Sequence, residues 1–187
     1  MKHLHLEKKG LRGLAIAESF KQDQKKSKIA GIVMRRDFIV DGVVFGTATL
    51  EGDDATDAIL SMHERLHRDD LSFVMISGLV ISMYNIVDIK KIYRSLKIPV
   101  IGVSYQESEG LESAIKNHFP DSYQAKLEEY QKLGSREKII LHTSHNIFVR
   151  IEGCSLNETK RLLNVFTLQG AIPEPLRVAQ MLAHAAL

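Results

Sequence analysis

Apolar positions along the chain fall first at strand spacing and then at helix spacing. "GLAIAESF" (13–20) is a compact apolar run closing on Glu18 and predicts a first strand. "FKQDQKKSK" (20–28) interrupts it as a polar loop, and the β-branched "IAGIVMRR" (29–36) predicts a second strand. In "FIVDGVVFGTATL" (38–50) the pair Asp41-Gly42 stands between apolar runs as a two-residue hairpin signal. The third strand is therefore placed at 43–50, with Phe45, Thr47 and Thr49 on one face. After Gly52 the period lengthens: Ala55, Ile59, Met62 and Leu66 form one stripe and predict a helix over 54–67.

The second half repeats this contrast. "LSFVMISG" (71–78) and "PVIGVSY" (99–105) are short continuous apolar runs, as in strands buried on both faces. Between them, 85–96 reads as an amphipathic helix with Ile86, Ile89, Ile92, Tyr93 and Leu96 inward. Residues 109–118 and 121–133 predict helices, and 138–143 and 146–152 predict weaker strands. Residues 155–166 form a helix with Ser155 and Glu158 at capping-box spacing, and 173–186 a last helix with Pro175 in its first turn. A three-strand meander followed by helix, strand, helix, strand gives a mixed sheet flanked by helices, the element order of the ribonuclease H-like α/β fold. No linker or repeat divides the chain, so one domain over 1–187 is expected. In such a sheet the ends of strands one and four lie side by side. A site there draws on Glu18, on Ser77 and on the exit of strand three at Glu51 to Asp54.

Charge sharpens this picture. The formal net charge is only +2, but residues 1–36 hold ten Lys/Arg against three acids, whereas 37–64 hold seven acids and no Lys or Arg. The basic half suits a polyanion, with Lys25, Lys26, Lys28, Arg35 and Arg36 as the candidate nucleic-acid contacts. Two solvated surfaces of opposite sign explain the same pattern without a ligand. Glu51, Asp53, Asp54 and Asp57 also have two readings. They are the acidic start of a helix, with Asp53 or Asp54 as cap, or they are ligands of a divalent metal. The single Cys154, a start without a signal-peptide apolar core and the lack of a membrane-length apolar run lead to the expectation of a cytoplasmic protein.

Several segments together resemble a known family. "EKKGLRGLAIAESF", "MRRDFIVDGVVFGTATLEGDDAT", "NIVDI", "KIPVIGV", "HFPD" and "IPEPLRVA" occur in the order and spacing of the archaeal endonuclease V-like family, domain-of-unknown-function family ninety-nine. The resemblance spans nearly the whole chain. It implies an endonuclease V-like, ribonuclease H-like fold in which carboxylates at the central strand ends hold Mg²⁺ or Mn²⁺, and the metal activates water against a phosphodiester. The residues it implies for the metal are Glu18, Glu51, Asp53 and Asp54, with Gln180 and His184 as polar groups on the last helix. Two positions depart from the family pattern. An Asp-Asp pair is usual where this chain has Ala17-Glu18, and Asp-Gly is usual where it has Ser77-Gly78. A neutral Ser77 in the catalytic position cannot balance metal charge as a carboxylate does.

Other constellations are weaker. His142 and His145 fall on opposite sides of a strand, no closing ligands stand at zinc spacing, and Cys154 has no activating neighbour in sequence. The expected function is a divergent endonuclease V-like protein that binds DNA or RNA, with weakened or lost metal-dependent cleavage. A non-enzymatic interaction scaffold and a metal-dependent hydrolase of a small phosphorylated metabolite are the alternatives.

Overall fold

The computed structural model describes Leu4 and residues 6–187. In chain order the elements are β1 (Arg12–Ser19), β2 (Lys26–Arg35), β3 (Val40–Thr49), α1 (Ala55–Arg65), β4 (Phe73–Ser77), β5 (Val80–Ile81), β6 (Asn85–Ile86) and α2 (Ile89–Leu96). β7 (Val100–Ser104), α3 (Glu112–His118), α4 (Tyr123–Lys132), β8 (Glu137–Ile140), β9 (Asn146–Glu152), α5 (Leu156–Phe166) and α6 (Glu174–Ala185) follow. Among the described residues seven strands form one sheet in the order β3-β2-β1-β4-β7-β9-β8, and β5 pairs with β6 as a separate hairpin. β1, β2 and β3 are antiparallel, β4 runs parallel to β1, and β7 runs parallel to β4. β9 and β8 extend the far side antiparallel. This is the meander with two crossovers that the element order predicts.

The central strands are apolar on both sides because helices cover both faces. Leu14 and Ile16 of β1 join Val74 and Ile76 of β4 under Ile59 and Met62 of α1 and Ile89 and Ile92 of α2. Ala15 and Ala17 join Phe73 and Met75 on the other face, under Leu162 and Phe166 of α5 and Leu176, Ala179 and Ala183 of α6. Small residues on β1 match small residues on α6, so that helix lies close to the sheet. Gly46 serves the same purpose under α1: a Cβ there would sit 2.5 Å from the Met62 sulfur.

Three local expectations are corrected. Asp41-Gly42 is not the hairpin turn. The chain turns at 36–39, where Phe38 adopts a left-handed φ of 64° and its ring meets Phe166 edge-on at 6.2 Å. The register steps from Val33↔Gly42 to Met34↔Val40, so Asp41 is the extra residue of a β-bulge. Its carboxylate accepts from Arg12 Nε at 2.7 Å and Arg68 Nη1 at 3.0 Å. Strand two begins at Lys26, which moves Lys26 and Lys28 out of the expected loop and into the sheet. Residues 85–96 are not one helix. Asn85 and Ile86 pair in β6, and Asp88 caps α2 by accepting from Lys91 N at 2.9 Å. The Ser155–Glu158 capping box forms as its spacing predicts.

Candidate site at the ends of β1 and β4

The parallel pairing of β1 with β4 runs through Ile16↔Ile76, so Ala17 and Ser77 are the next step at the strand ends. Strand alternation places Ala17 with Ala15, and Ser77 with Phe73 and Met75, on the face covered by α6. From α6 the Gln180 amide donates to Ser77 Oγ at 2.8 Å. The Tyr105 hydroxyl is buried beside them. Burial pushes its pKa up, and the neighbouring Ser77 hydroxyl offsets only part of that. The groups that meet here are thus a methyl, a hydroxyl, a carboxamide and a phenol, all uncharged at neutral pH.

Glu18 is adjacent in sequence and opposite in direction, sharing its face with Leu14 and Ile16. Its Oε1 accepts from the Ser82 backbone N–H at 3.3 Å, and its buried Oε2 has no partner among the described residues. Burial raises the Glu18 pKa above its ordinary 4.5, with Ser82 opposing the rise. Ser82 opens a run of three left-handed residues, Ser82, Met83 and Tyr84 (φ 47°, 54° and 71°), and its hydroxyl bonds Ser27 Oγ at 2.6 Å. Such backbone persists only when its surroundings over-determine it. Glu18 and Ser77, expected in one site, are on opposite faces of the sheet.

The raised pKa has a definite sign for stability. Folding favours neutral Glu18, so its contribution is complete below the ordinary carboxylate range and is lost as pH rises through the folded value. Glu18→Gln is therefore expected to raise Tm relative to the natural chain at about pH 8 and to change it little at about pH 4. Thermal melts at both values check this. A variant less stable than the natural chain at the higher pH contradicts it.

The acidic stretch has four separate sets of partners. Glu51 meets His118 Nε2 at 2.6 Å. Asp53 pairs with the ammonium of Lys126, which is itself buried and also donates to the Gly52 carbonyl. Asp57 accepts from Lys91 Nζ at 2.5 Å. Asp54 stands at the N-cap position of α1, but its side chain does not cap. It turns back to accept from Thr49 N at 2.9 Å, Thr49 Oγ1 at 2.8 Å and Asn85 Nδ2 at 2.7 Å. Burial alone would raise the Asp54 pKa, but these hydrogen bonds outweigh it and hold the group below its usual range. The expected Asp53 or Asp54 cap is thus corrected: Asn85 supplies it from another element, accepting from Ala55 N at 3.0 Å. Asn85 and Ser82 hold the acidic side chains in place here, a structural role that the sequence reading missed. For Asn85 the sequence signal was a polar residue inside the apolar segment "MYNIVDI", and Ser82 stands just before it.

The donor set does not fit a resident Mg²⁺ or Mn²⁺. Such an ion needs hard oxygen ligands, carboxylates among them, turned to one point. Glu18 faces away from Ser77, and Glu51, Asp53 and Asp54 are directed at His118, Lys126 and Thr49–Asn85. Among the described residues no three His, Cys, Asp or Glu side chains gather to hold a metal. His142 bonds Asn164 and His145 bonds the Thr143 carbonyl, so these two do not form a joint site. Cys154 lies against Thr159 at 3.3 Å, and burial pushes its pKa up, away from a thiolate nucleophile.

The candidate nucleic-acid residues divide between the two ends of β2. Lys25, Lys26 and Lys28 lie at its start and make no ion pair among the described residues. Arg35 and Arg36 lie at its end, about 25–30 Å away for an extended strand of this length. Arg35 pairs with Asp37 at 2.6 Å, and Arg36 donates to the Leu6 carbonyl at 2.6 Å and approaches Glu7 at 3.8 Å.

Residues 9–187 match the sequence profile described as endonuclease dU. A UPF0215 protein of Pyrobaculum calidifontis is 36% identical over 171 residues, covering 91% of this chain and 93% of its own length. The crystal structure of a protein of unknown function from Archaeoglobus fulgidus has a TM-score of 0.81 at 25% identity, over 95% of this chain and 98% of that one. Endonuclease V of Ciona intestinalis was solved with a 24mer DNA containing an inosine followed by a ribo-adenosine. It has a TM-score of 0.60 at 15% identity, over 95% of this chain and 86% of its own, a likeness of fold. Among the described residues no helix is long and apolar enough to cross a membrane. With its endonuclease V-like, ribonuclease H-like sheet and its nearly full-length sequence match, the chain belongs to the endonuclease dU family.

Proposed function

We propose that this chain binds nucleic acid on an endonuclease V-like scaffold and that its metal-dependent cleavage is weakened or lost. The observation carrying this reading is the uncharged meeting of Ala17, Ser77 and Gln180 at the adjoining ends of β1 and β4. Phosphodiester hydrolysis by Mg²⁺ or Mn²⁺ needs negative groups there to fix the ion against the phosphate. Without them, phosphate is not repelled from the strand ends, and binding survives the loss of cutting. The unpaired Lys25, Lys26 and Lys28 supply backbone contacts, and Arg35 and Arg36, already engaged, contribute less. The same uncharged end disfavours a metal-dependent hydrolase of small phosphorylated metabolites. A non-enzymatic scaffold for a protein partner remains the rival reading, and cytoplasmic residence is part of the proposal.

The test incubates the protein with inosine-containing DNA, of the kind held by the Ciona neighbour, and with its RNA counterpart, in Mg²⁺ and in Mn²⁺. The expected result is binding that falls steeply with salt, because phosphate contacts release counterions, and no cleavage product. Robust metal-dependent product overturns the loss of cleavage. Absent binding at low salt favours the scaffold.

A further inference from the structure

We propose that the free edge of β3 is a stacking platform for single-stranded nucleic acid, with Phe45 facing a base and Lys28 and Arg65 facing the phosphates. This rests on the nucleic-acid reading above and names the surface and the strandedness it serves.

β3 is the outermost strand of the meander, paired among the described residues only with β2. Its Val44 and Ala48 point into the core under α1, so Val43, Phe45 and Thr47 point to the opposite face. On that face α6 packs over β1 and β2. Val43 is left 48% exposed and Phe45 46% exposed, so two apolar side chains stand open side by side on this face. Lys28 is registered with Thr47 and Ala30 with Phe45, which puts the lysine on a cross-strand diagonal from the ring, within side-chain reach. A groove of about 460 Å³ runs here, lined by Phe45, Thr47 and Lys28 and, across the strand edge, by Ser61 and Arg65 of α1. Arg65 is exposed and donates one amino group to the Phe45 carbonyl, which anchors the guanidinium at the groove.

No Asp or Glu lines this groove, and neither cation makes an ion pair among the described residues. An open ring between two uncompensated cations, with the Thr47 and Ser61 hydroxyls beside it, complements a polyanion that carries flat apolar rings. A duplex satisfies the charges but keeps its base faces stacked inside, so the ring has nothing to meet. A single strand presents both.

The experiment titrates labelled oligouridine and oligothymidine of about 12 nucleotides, and a duplex of similar length, by fluorescence anisotropy across a salt series. Phe45→Ala, Phe45→Tyr and Lys28→Gln are compared with the natural chain. Phe45→Ala is expected to weaken single-strand binding roughly 5- to 100-fold, with Phe45→Tyr restoring it and duplex binding unchanged. Lys28→Gln is expected to reduce the log–log salt slope for the single strand by about 0.7. If the natural chain binds neither form at low salt, the nucleic-acid reading and the platform both fall. If it binds single strands but Phe45→Ala is indifferent, the platform falls and the broader reading stands. Sedimentation supplies another overturning result: a dimer that dissociates in Phe45→Ala without change in oligonucleotide affinity makes the edge a self-association surface.

Discussion

Asp introduced together at Ala17 and Ser77 is expected to strengthen Mn²⁺ binding at least tenfold over the natural chain, a change of about 1.4 kcal/mol or more. The two positions share one sheet face at adjoining ends of parallel strands, and Gln180 already reaches Ser77 there. Two carboxylates at that point supply the hard, convergent donors that the natural residues do not. Ala17 is only 2% exposed, so the metal-free variant holds a repelling, desolvated pair and is expected to melt below the natural chain. Added metal binds only the folded form and recovers that stability by mass action. Calorimetric titration with Mn²⁺, and melting with and without it, read both effects. A folded double variant with no gain in affinity contradicts the assignment of these positions. Should the double variant not fold, Ser77→Asp alone, at the more open position, is expected to show a smaller gain of the same sign.

The second large effect is expected at Asn85, which is fully buried. Its carbonyl oxygen caps Ala55 N, and its amide nitrogen donates to the Thr49 carbonyl at 2.9 Å and to Asp54 at 2.7 Å. Asn85→Ala removes all three bonds and leaves the Ala55 N–H without its acceptor, while the Thr49 carbonyl keeps Gly52 N and Asp54 keeps both Thr49 donors, so a total of about 3 kcal/mol is expected from one unpaired group and two lost bonds. For a domain of this size that lowers Tm by roughly 6–12 °C. Asp53→Ala is the contrast. Asp53 is mostly exposed and does not cap the helix, so its loss is expected to be small apart from what it costs Lys126. If Asn85→Ala melts within a degree or two of the natural chain, this network is not what holds α1 to the sheet.

The element order was legible because each crossover strand is a continuous apolar run and each helix changes the period. Side-chain direction at the site was not. β1 is apolar on both faces, "LAIA", so nothing in its pattern tells whether Ala17 or Glu18 looks toward the fourth strand. Only packing against α6, where Ala15 and Ala17 meet Ala179 and Ala183, decides it. The acidic stretch misled for a related reason. Four carboxylates near a helix start satisfy every local rule for a cap, yet the cap came from a residue thirty positions later. Asp41-Gly42 carried a strong turn signal, but a bulge uses the same pair, and two distant arginines determined which it became.

That bulge bears on how the protein stays dispersed. A long, flat, apolar edge strand is a template on which other chains can add, and β3 exposes Val40, Val43 and Phe45. Asp41 interrupts the ladder between them. The extra residue increases the local twist, and the Asp41 carboxylate, gripped by Arg12 and Arg68, fixes three charged groups beside the bend. A second β-strand laid along this edge loses register at Asp41 and meets charge there. A cross-β ladder therefore cannot run the full length of β3: it is stopped at the Val40 end, and only the stretch 42–49 keeps a regular edge.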